Sequence, residues 1–427
     1  MCELACSKSE TTYFQPTLIQ VGQTEGRWSK INPVNKIGEQ IEFSIPGTTN
    51  EAIDMNNTSL YIRGKLTKAD GTDLADGADV APVNNFLHSM IGDVEVHVNG
   101  CLINKKSSTY AYSAMLYKLT QVDVTQNNMG WMSLEGFYPP ASGDPTLATN
   151  NVFKASQKHV AKSKEFELVG TPHVDLFYGA QALPPGCDLR LIFTMDKPEF
   201  FLIDRVNNVK CVITEAFLYV RKITLSDTLV SSIKSVWQEQ EIVLPFTRRE
   251  VKHFNISSGV SNHTEQNAFS GRLPVRLFIC LVNNEAFVGS RTTSPFYFNH
   301  NKVSRINVTV NDHVMGYGPE TVDIADGKRT AMAYRFFLEC IGAVGERALA
   351  TPVSYDSYID GSTIFAFSRA PDLCHGEHVL PDATGTVKIE LEFSTAPTAA
   401  LSLVVMAEFD SSISIDKYNN VTTTYSV

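Results

Sequence analysis

The sequence predicts an all-β chain made of two antiparallel sandwiches. Three observations carry this reading. Apolar and polar residues alternate in run after run, helical periodicity is confined to a few short stretches, and the second half repeats the order of the first. Strands that alternate in this way bury one face and wet the other, which is the habit of antiparallel sandwiches rather than of parallel sheets.

Ile41-Glu-Phe43-Ser-Ile45 is the first alternating run, followed by Leu60-Tyr-Ile62-Arg-Gly64-Lys-Leu66, which ends at the turn Ala69-Asp70-Gly71. Val94-Glu-Val96-His-Val98 runs into Asn99-Gly100, a two-residue hairpin signal because both positions tolerate a positive φ. Phe166-Glu-Leu168 comes next, then Leu189-Arg-Leu191-Ile-Phe193 after the turn Leu183-Pro-Pro-Gly186. In the second half the strands are Leu273–Leu281, Val303–Val310, Val387–Phe393 and Leu401–Phe409. Helices are expected in three places. In Thr109–Thr120, Tyr112, Met115, Leu116 and Leu119 share a face behind the N-cap candidates Ser107, Ser108 and Thr109. A second helix is expected over Arg329–Cys340. The third starts near Ser226, with Leu229, Ile233, Val236 and Trp237 on one face, and reads as a connector at mid-chain.

Val94–Gly100 is echoed by Ile306–Asp312, 212 residues later, and each copy leads through a loop into an aromatic helix. Each half also closes with two strands expected to pair, Asp188–Thr194 with Cys211–Val220 and Thr386–Phe393 with Leu401–Phe409. The division that follows is an arm at 1–24, a first sandwich at 25–225, a connecting helix at 226–240 and a second sandwich at 241–427. Asp123–Lys164, rich in Asn, Ser, Gly and Pro, is too long for an ordinary connection and reads as an excursion from the first sandwich.

Of 427 residues, 43% are apolar, with 24 Phe, 15 Tyr and 3 Trp, which excludes a disordered chain. The formal charge of −10 lacks the basic footprint of a dedicated nucleic-acid binder. The longest apolar run, Leu277–Val282, is far short of the ~18 residues of a membrane span. Met1–Lys8 has neither a basic nor an apolar leader region, so synthesis in the cytosol is expected. With it go reduced cysteines, buried thiols at Cys211 and Cys280, and an unused sequon at Asn307.

Each candidate for chemistry has a plainer reading. Asp326-Gly327-Lys328-Arg329 lacks the first glycine of a phosphate loop, and Gly316-Tyr-Gly318 lacks the third of a dinucleotide site. No Gly-x-Ser-x-Gly elbow occurs. Cys374, His375, Glu377 and His378 offer four zinc-type ligands within five residues, but no second ligand pair stands at the usual spacing, and an exposed polar loop is the plainer reading. Cys2 and Cys6 sit on an unanchored terminus. Asp323, Asp326 and Glu339 are carboxylates available for paired acid–base work, with a solvated strand face as the default. Lys105-Lys106, Arg221-Lys222 and Arg248-Arg249 could meet phosphate but read first as solvated edges that discourage aggregation. No catalytic, cofactor or metal site is therefore assigned. A non-catalytic structural or binding protein is expected.

The strings Ile41–Gly47, Asp54–Arg63, Lys68–Leu74, Pro82–Ser89 and Asp93–Gly100 resemble the major capsid proteins of Polinton (Maverick) elements and the related adintoviruses. Leu281–Gly289, Pro295–Phe298, Asp360–Phe367, Pro371–Leu373 and Ala407–Asp410 with Ile415-Asp416 continue the resemblance in order over residues 15–420. It implies a double jelly roll, trimers that form pseudo-hexameric capsomers of an icosahedral shell, and short towers. Its partners would be sister copies, neighbouring capsomers, a penton and other minor capsid proteins, with at most a weak contact to packaged DNA and no membrane insertion. The location implied is the virion capsid, after synthesis in the host cytoplasm and assembly there or in the nucleus. The helices Thr109–Thr120 and Arg329–Cys340, or the Asp123–Lys164 excursion, are the expected trimer contacts. Three other readings stand beside this one. They are a host-genome copy that makes no particle, a carbohydrate-binding module using Trp131 and Tyr138, and an enzyme on a double sandwich using Cys374, His375 and His378.

Overall fold

The computed structural model describes residues 20–104, 107–123, 126–205, 208–315, 329–344, 350–371 and 380–425. Two rolls of eight strands follow one another. In the first roll the strands are β1 (Gln23–Ile31), β2 (Gln40–Ile45), β3 (Glu51–Thr67), β4 (Ile91–Val98), β5 (Cys101–Leu102), β6 (Phe166–Gly170), β7 (Leu189–Met195) and β8 (Lys210–Leu225). In the second they are β9 (Ile242–Ile256), β10 (Asn262–Arg272), β11 (Arg276–Asn283), β12 (Val303–Val310), β13 (His313–Val314), β14 (Phe365–Ser368), β15 (Thr384–Phe393) and β16 (Leu401–Ile415).

The first roll packs the sheet β1-β8-β3-β6 on β2-β7-β4-β5, and the second packs β9-β16-β11-β14 on β10-β15-β12-β13. Adding eight to each strand of the first roll reproduces the second, so the duplication holds down to strand order. Val94–Gly100 and Ile306–Asp312 fall on the equivalent hairpins. Both turns use left-handed backbone, at Asn99 (φ 50) and Gly100 (φ 80) and at Asn311 (φ 49) and Asp312 (φ 64), the geometry that matches strand twist.

One expectation is overturned. β7 does not pair with β8, nor β15 with β16. β7 pairs with β2 and β4, whereas β8 pairs with β1 and β3. Consecutive strands cross from one sheet to the other, because each sheet needs apolar cover that only the opposite sheet supplies.

Burial follows the layers. In β3 the run Leu60–Leu66 alternates between buried and half-buried side chains. In β11, Leu277–Val282 is buried without a break, as is Leu401–Phe409 in β16. The second roll's sheet is therefore covered on both faces, by its own core and by the first roll. That explains why the longest apolar run of the sequence lies there. Most buried apolar side chains of both rolls form one continuous cluster, and Ala52, Leu225 and Val230 form a small second one.

The helix Tyr110–Thr120 follows β5, and Thr330–Cys340 takes the equivalent place after β13. Thr109 stands at the N-cap position, but its hydroxyl donates to Val251 O (3.3 Å) and makes no cap bond. Asp227–Glu239 joins the rolls, its first turn capped by Ser226 Oγ. Trp237 anchors its end by donating Nε1–H to Ile415 O at 2.9 Å, while Val236 points to solvent instead of sharing that face. The excursion folds into two helices that the sequence reading did not assign, Gln126–Leu134 and Asn151–Val160.

Gly64 marks a tight crossing, since a Cβ there would lie 2.7 Å from Val212 O and 2.9 Å from the Phe166 ring. Gly64→Ala should cost about 1–3 kcal/mol through overpacking, read as a lower urea midpoint at constant m-value.

Candidate assembly site: the roll–roll junction and its exposed counterpart

The two rolls meet on the outer face of β9-β16-β11-β14. Glu408 of β16, 1% exposed, accepts from Arg249 Nε of β9 (3.3 Å) and from Arg276 Nε of β11 (2.7 Å). Arg249 crosses to the first roll, where Asp175 accepts from its backbone N–H (2.8 Å) and its Nη1 (3.0 Å). Its guanidinium lies 4.4 Å from the Tyr117 ring centre. Arg276 Nη2 reaches Gln121 Oε1 at 2.8 Å, just past the end of the helix Tyr110–Thr120. Burial raises the Asp175 carboxyl against the pull of Arg249.

Aromatic packing completes the junction. Tyr112 stacks on Phe287 with ring centres 5.2 Å apart and meets Phe296 edge-on at 5.7 Å. A second ionic tie joins Arg291 to Glu199 (2.8 Å) and Asp204 (3.1 Å). The chain's end laces back as well, the Tyr425 hydroxyl donating to Ile103 O at 2.6 Å.

Behind the junction helix lies a buried polar group. Lys118 is paired with Glu135, and His88 Nε2 stands 3.6 Å from the same carboxylate. Tyr110 bonds His88 Nδ1 (2.9 Å) and accepts from the His173 backbone N–H (3.0 Å). The His173 ring contacts the Ser113 hydroxyl (2.9 Å) and the Tyr178 hydroxyl (3.2 Å). Burial, together with the nearby Lys118, holds both imidazoles well below the ordinary histidine range; His173 is also lowered by Arg249. Burial lowers the Lys118 ammonium, while its contact with the Glu135 carboxylate favours the charged form.

The first roll carries a counterpart of this junction on the outer face of β1-β8-β3-β6. Where Arg276 faces Glu408 across β11 and β16, Arg63 faces Glu215 across β3 and β8. Where Arg249 of β9 reaches Glu408, Lys30 of β1 reaches Glu215 at 3.1 Å. Aromatics stand alongside. Tyr61 stacks on Phe217 at 4.3 Å, Tyr219 meets Phe217 edge-on at 5.0 Å, and Lys30 Nζ sits 3.9 Å over the Phe217 ring. This copy is open, with Trp28 52% and Tyr219 40% exposed. In the second roll, the helix Thr330–Cys340 is half-exposed and shows Met332 and Arg335 to solvent.

These positions correct the sequence reading twice. The helix Tyr110–Thr120 is no trimer contact, because almost all of it is buried between the chain's own rolls. Nor are the two described basic pairs, Arg221-Lys222 and Arg248-Arg249, solvated edges. Arg249 is interior, and Lys222, 7% exposed, pairs with Glu51 at 3.5 Å. Arg221 lies 3.6 Å from Asp54 and over Trp28. Sequence reasoning missed the junction because its ionic partners are 74 and 159 residues apart.

The remaining candidates do not assemble a site. Cys2, Cys6, Lys105-Lys106, Gly316–Gly318, Asp323, Asp326–Lys328 and Cys374–His378 lie outside the described residues. Among the described residues no three metal-type ligands cluster. Glu339 is engaged by Arg335 at 2.8 Å. Trp131 is exposed on its helix, whereas Tyr138 is half-buried beside His159. Cys280 is fully buried, and Cys211 is partly buried with its thiol pushed up to about 12 by burial. Asn307 is buried, its amide donating to Glu390, which leaves no room for a glycan.

No family model matches the chain. Over 412 residues it is 24% identical to an uncharacterized protein of Caenorhabditis elegans, F54H12.2, an alignment covering 92% of this chain and 96% of that one. A chain of the Sputnik virophage matches with a TM-score of 0.66 at 12% identity, covering 99% of this chain and 93% of that one. A chain of the PBCV-1 virus capsid matches at 0.62 and 11% identity, with 97% and 100% covered. The mavirus major capsid protein matches at 0.56 and 12% identity, with 97% and 94% covered. Likeness at such identities is likeness of architecture, and it agrees with the strand order: the chain has the double jelly-roll fold found in these viral capsid proteins.

Proposed function

We propose that this chain is the major structural subunit of an icosahedral virion shell of the Polinton (Maverick) and adintovirus kind, and not an enzyme. In this reading residues 1–24 are an arm, 25–225 and 241–427 the two lobes, and 226–240 the connector. Three copies close into a pseudo-hexameric ring. Neighbouring rings, a vertex protein and other minor capsid proteins complete the shell. The acidic balance leaves room for no more than weak contact with packaged DNA.

One observation carries the proposal. Among the described residues the chain holds two copies of one docking face and covers one of them. The second roll's sheet is covered by the first roll's helix Tyr110–Thr120, while the equivalent sheet of the first roll is open. The second roll's equivalent helix, Thr330–Cys340, is half-exposed and has room for a partner. Repeating the internal step between chains lays that helix on the Tyr61, Phe217 and Tyr219 face of the next copy. Such a contact is head-to-tail, and it closes into a ring when the rotation permits. Six lobes from three chains is the closure that the resemblance supplies. Obligate contacts of this kind commonly bury more than ~2,000 Å².

In light scattering the purified chain should show three times its own mass, with six-lobed rings in negative stain. Tyr61→Glu combined with Tyr219→Glu should give a monomer that still folds, with its thermal unfolding lowered by the lost packing on Phe217. A wild-type chain that stays monomeric at micromolar concentration would refute the reading.

A further inference from the structure

We propose that a recess at the loop end of the second roll binds a neutral saccharide. Its walls come from the segment between β11 and β12, from the turn between β15 and β16, and from Asp144 of the first roll's excursion. The volume is about 620 Å³, well inside the ~300–1,000 Å³ of small-molecule sites and sufficient for one or two sugar rings.

The wall is built before any ligand arrives. Asn301 and Lys302 hold left-handed backbone (φ 47 and 56). Asn299 fixes that bend, its Oδ1 accepting from the Asn301 N–H (3.0 Å) and its backbone O accepting from Asn301 Nδ2 (2.9 Å). Asn299 Nδ2 in turn donates to the Tyr297 hydroxyl (3.3 Å), which donates to Asp360 (2.8 Å). A rim held by its own hydrogen bonds has little entropy left to lose on binding.

The lining selects the ligand. The hydroxyls of Thr395 and Thr398, with the amide capacity of Asn299 and Asn301 beyond the bonds that hold the rim, suit a molecule that presents many hydroxyls. Ala399 and the Tyr297 ring supply the apolar patch on which the C–H face of a sugar rests. Asp144 and Lys302 give one charge of each sign, and His300, whose Nδ1 accepts from the Lys302 backbone N–H (3.1 Å), completes a wall without a surplus of fixed charge. A lone carboxylate is also too few for a hard cation such as calcium, which takes ~6–8 oxygens. The site is separate from the faces used for ring closure, so it stands or falls independently of that proposal.

Saturation-transfer NMR on the full-length protein with glucose, galactose, mannose and N-acetylglucosamine tests it. At least one of the four should receive saturation, with a Kd near ~1 mM, as expected for a shallow site engaging a single ring. Ala399→Trp fills the recess from an exposed turn position and should weaken binding about tenfold or more, a loss of ~1.4 kcal/mol or above. Its thermal unfolding should stay at the wild-type value. Thr398→Arg, from the same turn, should act alike and covers the case in which the first variant misfolds. Absence of transfer to all four sugars, or undiminished transfer in both folded variants, would overturn the assignment.

Discussion

Glu408→Ala is expected to lower the stability of the chain by about 3–5 kcal/mol, because it strands two interior guanidiniums that share one carboxylate. Arg249 and Arg276 both donate to Glu408, and the side chains of Arg249 and Glu408 are 6% and 1% exposed. The loss is not the worth of the ion pairs themselves. It is the cost of a buried positive charge that loses its shared carboxylate, since Asp175 still faces Arg249 while Gln121 Oε1 and Cys340 O give Arg276 neutral oxygens. Glu408→Gln should lose less, because it keeps the volume and one acceptor. Urea midpoints at constant m-value measure both. A change below about 1 kcal/mol for the alanine variant would mean that water reaches the junction and screens the arginines.

Acid should loosen the same region. His88 and His173 are held neutral, with folded pKa values well below the unfolded value near 6.5. The sign follows from linkage: the unfolded chain takes up protons first, so the stability present above pH 6.5 is lost as pH falls below it. Each histidine contributes up to about 1.4 kcal/mol per pH unit, and the two together about 2.7, until the folded pKa values are reached. The groups facing them are Lys118, Glu135, Tyr110, Tyr117, Tyr178, Arg249 and Asp175. Asp175 acts in the opposite sense. Its raised carboxyl is a burden while ionised and is relieved as pH falls through its folded pKa, which limits the loss at the acid end. Urea unfolding at pH 7.5, 6.5 and 5.5 should therefore show a steep fall in the lower interval, and His173→Gln should halve that slope. A flat profile across the three pH values would show that the imidazoles are hydrated.

Much of the fold was legible because period-two alternation and the Asn99-Gly100 hairpin report directly on strands with one dry face. The duplication was legible for the same reason, through the echo at Ile306–Asp312. Among the strands that escaped notice, three of the longest did so for a local cause. β1 is an exposed edge and carries almost no apolar signal. β10 opens with Asn262-His-Thr-Glu265, and β9 holds Thr247-Arg-Arg-Glu250, so both read as polar. The excursion's helix Asn151–Val160 did carry a signal, since Asn150 caps it and Val152, Phe153, Ser156 and Val160 are its buried side. The candidate site was hardly legible. A pair such as Arg248-Arg249 looks the same on paper whether it meets water or a carboxylate from another part of the chain. Only the unbroken apolar run of β11, where β3 alternates, hinted that one roll is covered on both faces and the other is not.

The two versions of the docking face lie in different thermodynamic regimes. The one between the rolls of a single polypeptide is tethered by Asp227–Glu239, so its occupancy is set by an effective concentration fixed by that linker and is insensitive to dilution. Under the proposed assembly, the other version would form by mass action, and its occupancy would rise with the amount of protein made. A cell producing this chain would then accumulate finished two-lobed building blocks first, and particle formation would wait on a threshold of supply.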